Sequence, residues 1–145
     1  MTLSVSITRI LEGVYAHSAF MTLYEREKSA DSLLTRCHET MLRRMAVDVF
    51  LELAVSMAGY IMDVDVDDGD ILTMDLADCY EATPVRMAGA YLESCVTRLL
   101  MARAWQVSGP DVLAQSMDSA ATLAREQLCR LCQEYRELPG RIVPE

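Results

Sequence analysis

Five aspartates fall within eight residues, Asp63, Asp65, Asp67, Asp68 and Asp70, and form the densest set of potential metal ligands in the chain. A calcium loop of the EF-hand type needs acids at its first, third and fifth positions, glycine at the sixth and a bidentate glutamate at the twelfth. Counted from Asp63, the first three acids fit, but the sixth residue is Asp68 and the twelfth is Met74. Met62, Val64 and Val66 alternate with the acids, which is the period of a strand with one solvated face. The segment therefore reads as a β-hairpin turning at Asp67-Asp68-Gly69-Asp70.

The other reactive side chains converge less. Cys129 and Cys132 form a CxxC, but they sit inside a helical pattern, whereas a redox pair needs a preceding strand and a helix N-terminus to lower the thiol pKa. His17, Cys37 and His38 lack the paired spacing of a zinc site. Neither histidine stands beside a nucleophile motif, and no phosphate-binding glycine loop occurs. Asp48 and Glu52 could act as paired carboxylates, with Arg43, Arg44 or Arg98 near them; the plainer reading is a solvated stripe or an ion pair. No catalytic residue, cofactor site or metal site is assigned, and the chain reads as a non-enzyme.

Composition narrows the class. At 145 residues the chain fits one domain, residues 1–145. Its formal charge of −9 and single lysine, Lys28, argue against sequence-specific nucleic-acid binding, which needs a basic patch. Five cysteines, most of them in helical patterns, do not make a disulfide scaffold, and no leader with a charged start and apolar core is visible. A reducing cytoplasm is expected. The most apolar run, Ala46 to Met62, contains Asp48 and Glu52 and is short for a membrane span. A hydrophobic share of 52% suggests either a thick core or faces covered by other subunits.

The elements that must carry these residues follow from periodicity. Ile7, Ile10, Val14, Ser18 and Met21 predict a first helix from Leu3 to about Met21. After the charged connector Glu25 to Lys28, Ser29 or Asp31 caps a second helix running to about Tyr60, with Leu34, Cys37, Met41 and Met45 on one face. Its second half is polar only at Asp48, Glu52 and Ser56, which marks it as the central helix. The hairpin occupies about 61–78. Thr83-Pro84 opens a third helix to about Val107, and Ser108-Gly109-Pro110 separates it from a fourth starting at Asp111. Pro139-Gly140 leaves a short tail, 139–145. The expected fold is mainly α, an antiparallel bundle of about four helices with one β-hairpin between helices two and three.

The strand Asp70-Ile-Leu-Thr-Met-Asp-Leu-Ala-Asp-Cys-Tyr80, the helix Ala82 to Val107 with Ala-Arg-Ala-Trp near its end, and the closing run Ala120 to Ile142 carry a resemblance. In this order they resemble a group of small proteins encoded among virion-structure genes of Bacteroidales phages and prophages, over roughly residues 28–142. The group's third helix is richer in aromatics and its C-terminal end more basic than Gln133 to Glu145 here.

The resemblance implies a structural virion component, a head-to-tail connector, neck or tail-assembly subunit. It would meet other virion proteins and copies of itself, a ring being one such assembly. It would reside in the host cytoplasm during assembly and then in the virion, without membrane contact. The hairpin and C-terminal tail are the expected contact elements, with Val64, Val66, Ile71, Leu72, Met74, Trp105, Arg141 and Ile142 as interface residues. The alternative is a small regulatory or adaptor helical protein that binds another protein.

Overall fold

The computed structural model describes residues 1–24, 33–108 and 111–137. It is mainly helical, with four helices and a small three-stranded antiparallel sheet. In chain order the elements are β1 (Thr2–Ser6), α1 (Ile7–Tyr24), α2 (Glu39–Ser56), β2 (Ile61–Asp68), β3 (Ile71–Leu76), α3 (Val85–Ser108) and α4 (Asp111–Glu134). Short 3-10 turns precede α2 at Arg36–His38 and follow β3 at Asp78–Tyr80.

The first departure from the sequence expectation is β1. Thr2–Ser6 continues no helix; it pairs with β3, Leu3 opposite Met74 and Val5 opposite Leu72. Strict alternation places Leu3 and Val5 in the core and leaves Thr2 and Ser4 exposed. The sheet order is β1-β3-β2, so β3 is central and β2 is an outer strand. Leu72, Met74 and Leu76 of β3 are fully buried against the helices.

The second departure concerns which helix is central. α3 packs against α1, α2, α4 and β1, and Leu92, Val96, Leu100 and Trp105 on it are completely buried. α2 buries only one side, through Leu42, Ala46, Val49, Phe50, Leu53 and Ala54. Its outward sector carries Met41, Asp48, Leu51, Glu52 and Val55, so the second half of this helix is buried on one side and keeps an exposed side that includes apolar residues. Cys37 and Met41, expected on the buried face, are exposed. The caps expected at Ser29 or Asp31 lie outside the described residues, and α2 begins at Glu39.

Local polar contacts fix the helix entrances. Ser18 is fully buried, but its hydroxyl donates to the Leu34 carbonyl at 3.2 Å and accepts the Leu34 N–H at 2.9 Å, which satisfies it and ties α1 to the approach of α2. The His38 N–H donates to the Thr35 carbonyl at 2.9 Å, while the Thr35 N–H donates to His38 Nδ1 at 3.1 Å. Pro84 stands just before α3, where its missing N–H costs nothing, and its carbonyl accepts the Ala88 N–H at 3.0 Å.

Candidate functional site

The aspartates of the hairpin divide between two structural tasks. Asp70 follows Gly69, which holds a φ of +59° at the turn. Its carboxylate faces the start of α1, accepting from Ser6 Oγ at 2.7 Å, Thr8 Oγ1 at 2.6 Å and the Thr8 N–H at 3.0 Å. This is an N-cap supplied by a residue more than sixty positions away, aligned with the positive end of the helix. Arg43 reaches the same group from α2: Nη1 donates to Asp70 Oδ1 at 3.2 Å and Nη2 to Thr8 Oγ1 at 2.9 Å. The Thr8 and Ser6 hydroxyls, with the Thr8 amide and Arg43, hold the Asp70 carboxyl well below the usual carboxylate range.

Asp63 and Asp65 instead lie on the outer strand. They stand opposite Asp75 and Thr73 of β3, so three carboxylates and several hydroxyls share the solvated sheet face. Thr2 Oγ1 donates to Asp75 Oδ1 at 2.5 Å across β1 and β3. On β2 the carboxylates also bond backward to the chain: the Val64 N–H donates to Asp63 Oδ1 and the Asp67 N–H to Asp65 Oδ1, each at 2.9 Å. Register shifts interrupt the ladder between Ile61 and Asp63 and between Asp65 and Asp68. Among the described residues, no group of three or more His, Cys, Asp or Glu is set to hold a metal ion.

Beside this edge runs an apolar strip. Val55 is 77% exposed and Met62 73%, and Leu51 lies between them and Asp48 on the outward side of α2. With Ala54, Ala58, Ile61 and Val64 they line an open cleft of about 370 Å3. A second cleft, of about 300 Å3, lies between α2, α3 and α4 and contains Glu52, Cys95, Arg103 and Arg125. There Arg103 forms a two-pronged pair with Glu52, Nη2 to Oε2 at 2.6 Å and Nη1 to Oε1 at 3.2 Å. Glu52 is thus the partner of Arg103 on α3, and Arg43 is engaged at Asp70.

The thiols are built for packing. Burial pushes Cys95 and Cys132 up to about 11, and Cys129 upward as well. A nucleophilic or redox cysteine needs the opposite shift. Cys95 Sγ donates to the Ala121 carbonyl at 3.4 Å, a contact between α3 and α4.

Of the residues expected at an interface, Leu72, Met74 and Trp105 are completely buried, which removes them as surface contacts. Trp105 fills the core beside its neighbours on α3. Val64, Val66 and Ile71 are half-buried. Arg141 and Ile142 lie outside the described residues. Exposed apolar residues also include Phe20, Val107, Val112 and Leu123, but those that share one cleft, and that sequence reading missed, are Leu51, Val55 and Met62. A signal for two of them existed: Asp48, Glu52 and Ser56 mark the wet side of α2, and Leu51 and Val55 fall on the same helical sector.

Comparison with protein-family models, with curated proteins and with solved structures finds no match. No helix among the described residues is long and apolar enough to cross a membrane.

Proposed function

We propose that this chain is a non-enzymatic structural subunit of a phage particle, placed near the head-to-tail junction or in the tail, that works through self-association and contacts with other virion proteins. In this reading the four helices form an antiparallel bundle and the β2–β3 hairpin is its docking element. The subunit is made in the host cytoplasm and carried into the virion.

The observation that supports it is the exposed strip Leu51, Val55 and Met62 beside the side of β2 that no other described strand pairs. A contiguous apolar surface next to a free strand edge is a feature of proteins that join other proteins. The resemblance of the element order to that of the phage group suggests the biological setting. The acidic balance suits a particle component that must lie near DNA without adhering to it.

The test is molecular mass in solution at rising concentration, for the wild type and Val55→Glu. The expected result is concentration-dependent association of the wild type and a monomer for the variant. Because Val55 is largely exposed, the substitution should leave stability within about 0.5 kcal/mol. A wild type that stays monomeric throughout would sink the self-association.

A further inference from the structure

Among the described residues, β2 has a strand partner on one side only. An edge of this kind either meets another copy of itself or takes a strand from elsewhere, unless it is guarded. In an antiparallel ladder alternate residues direct both backbone groups to the same side. On β3 the Leu76 N–H donates to Met1 O on the β1 side and the Ala77 N–H to Tyr60 O on the β2 side, so Thr73 and Asp75 turn their backbone groups to Asp65 and Asp63, while Val64, opposite Met74, turns its N–H outward, where Asp63 Oδ1 accepts it. The Asp67 N–H is bound in the same way by Asp65. The outward Val64 N–H, and the Asp67 N–H within the register shift between Asp65 and Asp68, are thus held by the strand's own carboxylates.

Charge decides between the two occupants. A second β2 laid antiparallel on the first would set Asp63, Asp65 and Asp67 against the same acids, and like charges directly opposed across strands are destabilising. No stretch of this chain carries three Lys or Arg at alternate positions, so no other segment of a second copy supplies the complementary pattern. A strand with basic residues at every second position does. Its remaining side chains would lie over the cleft of about 370 Å3 that holds Leu51, Val55 and Met62, which favours aliphatic ones.

We propose that β2 is the docking strand for an extended segment of another protein in which Lys or Arg alternates with aliphatic residues. The proposal rests on the assembly reading and names the chemistry of the partner. The incoming cations draw the Asp63 and Asp65 carboxylates off the Val64 and Asp67 amides, and the freed N–H groups donate to the new strand. The same carboxylates keep the edge closed to strands without that charge pattern.

The test uses the full chain and a short fluorescent peptide alternating Lys and Val. A second peptide of the same sequence is N-methylated at alternate amides, which preserves charge and removes ladder donors. The expected result is saturable binding of the first peptide with perturbation of the Val64 and Asp67 amide resonances. Binding should be weaker by at least about tenfold both for the methylated peptide and for the Asp63→Asn/Asp65→Asn protein, whose amide side chains can still cap the strand.

Equal binding of the two peptides would overturn strand addition in favour of simple charge attraction, and absence of binding by the first would overturn the proposal outright. Mass measured on the same samples separates this from the assembly reading. An oligomer that ignores the peptide defeats only the strand proposal, whereas a monomer that binds it supports that proposal and defeats self-association.

Discussion

Arg43 Nη1 on α2 and Asp70 Oδ1 at the β2–β3 turn lie 3.2 Å apart, and both also contact Thr8 at the start of α1. One carboxylate thus joins three elements that are distant in the chain. Both ionised side chains are substantially exposed, so their direct attraction is screened, and the cap on α1 is the larger contribution.

Replacing Asp70 with Ala should cost about 1–2 kcal/mol, mostly from the lost cap, whereas Asn, which keeps an acceptor, should cost less. Chemical denaturation at neutral pH measures both.

The same group has a pH signature. Its folded pKa lies below the ordinary value of 3.8, so its contribution is complete above that value and is lost as the pH falls below it towards the folded pKa. Melts followed from pH 7 into the acid range should show Asp70→Asn approaching the wild type as the medium becomes more acidic. A constant difference at every pH would contradict the assignment.

Trp105 is the sole tryptophan and is fully enclosed. Its emission should be blue-shifted and poorly quenched by acrylamide in the native protein. Trp105→Ala should cost about 3–5 kcal/mol through cavity formation. Binding to an assembly partner should be unchanged in Trp105→Phe, and a selective loss of partner binding would return this residue to the surface.

The cysteines should separate by reactivity. Cys37 is exposed, while Cys95 and Cys132 are buried with pKa values near 11. Two units above the ordinary thiol value mean about a hundredfold less thiolate at mildly alkaline pH. Alkylation mapped by mass spectrometry should mark Cys37 first, and Cys95 and Cys132 only after denaturation.

What could be read in advance followed from punctuation and local period. Pro84 and the Ser108 to Pro110 break fix the start of α3 and its separation from α4 within a residue or so, because proline and glycine act where they stand. The helical spacing of Leu113, Met117, Ala120, Ala124, Leu128, Leu131 and Tyr135 predicts the apolar face of α4; five of these are buried, Ala120 is half-buried and Tyr135, past the end of the helix, is exposed. The alternation that marks β2 was equally local.

The misreadings have a common physical origin in long-range pairing. Leu3 and Val5 stand just ahead of the helical pattern that Ile7 begins, and only β3, some seventy residues later, decides for a strand there. The task of Asp70 likewise depends on Ser6, Thr8 and Arg43, which no spacing rule connects to it. The wide apolar circumference of α2 suggests a central helix. Which sides of a helix receive neighbours depends on the rest of the fold, and here α3 took that place.

The seam between β1 and β3 also imposes an order of events during synthesis. Thr2 and Asp75 are 73 residues apart, so closing that loop costs about 4 kcal/mol of chain entropy before any contact offsets it. At about 5–20 residues per second, β1 waits roughly 4–15 seconds after leaving the ribosome before its neighbour exists. During that interval Leu3 and Val5 have no sheet to enter, although β1 is made before both strands it is to join.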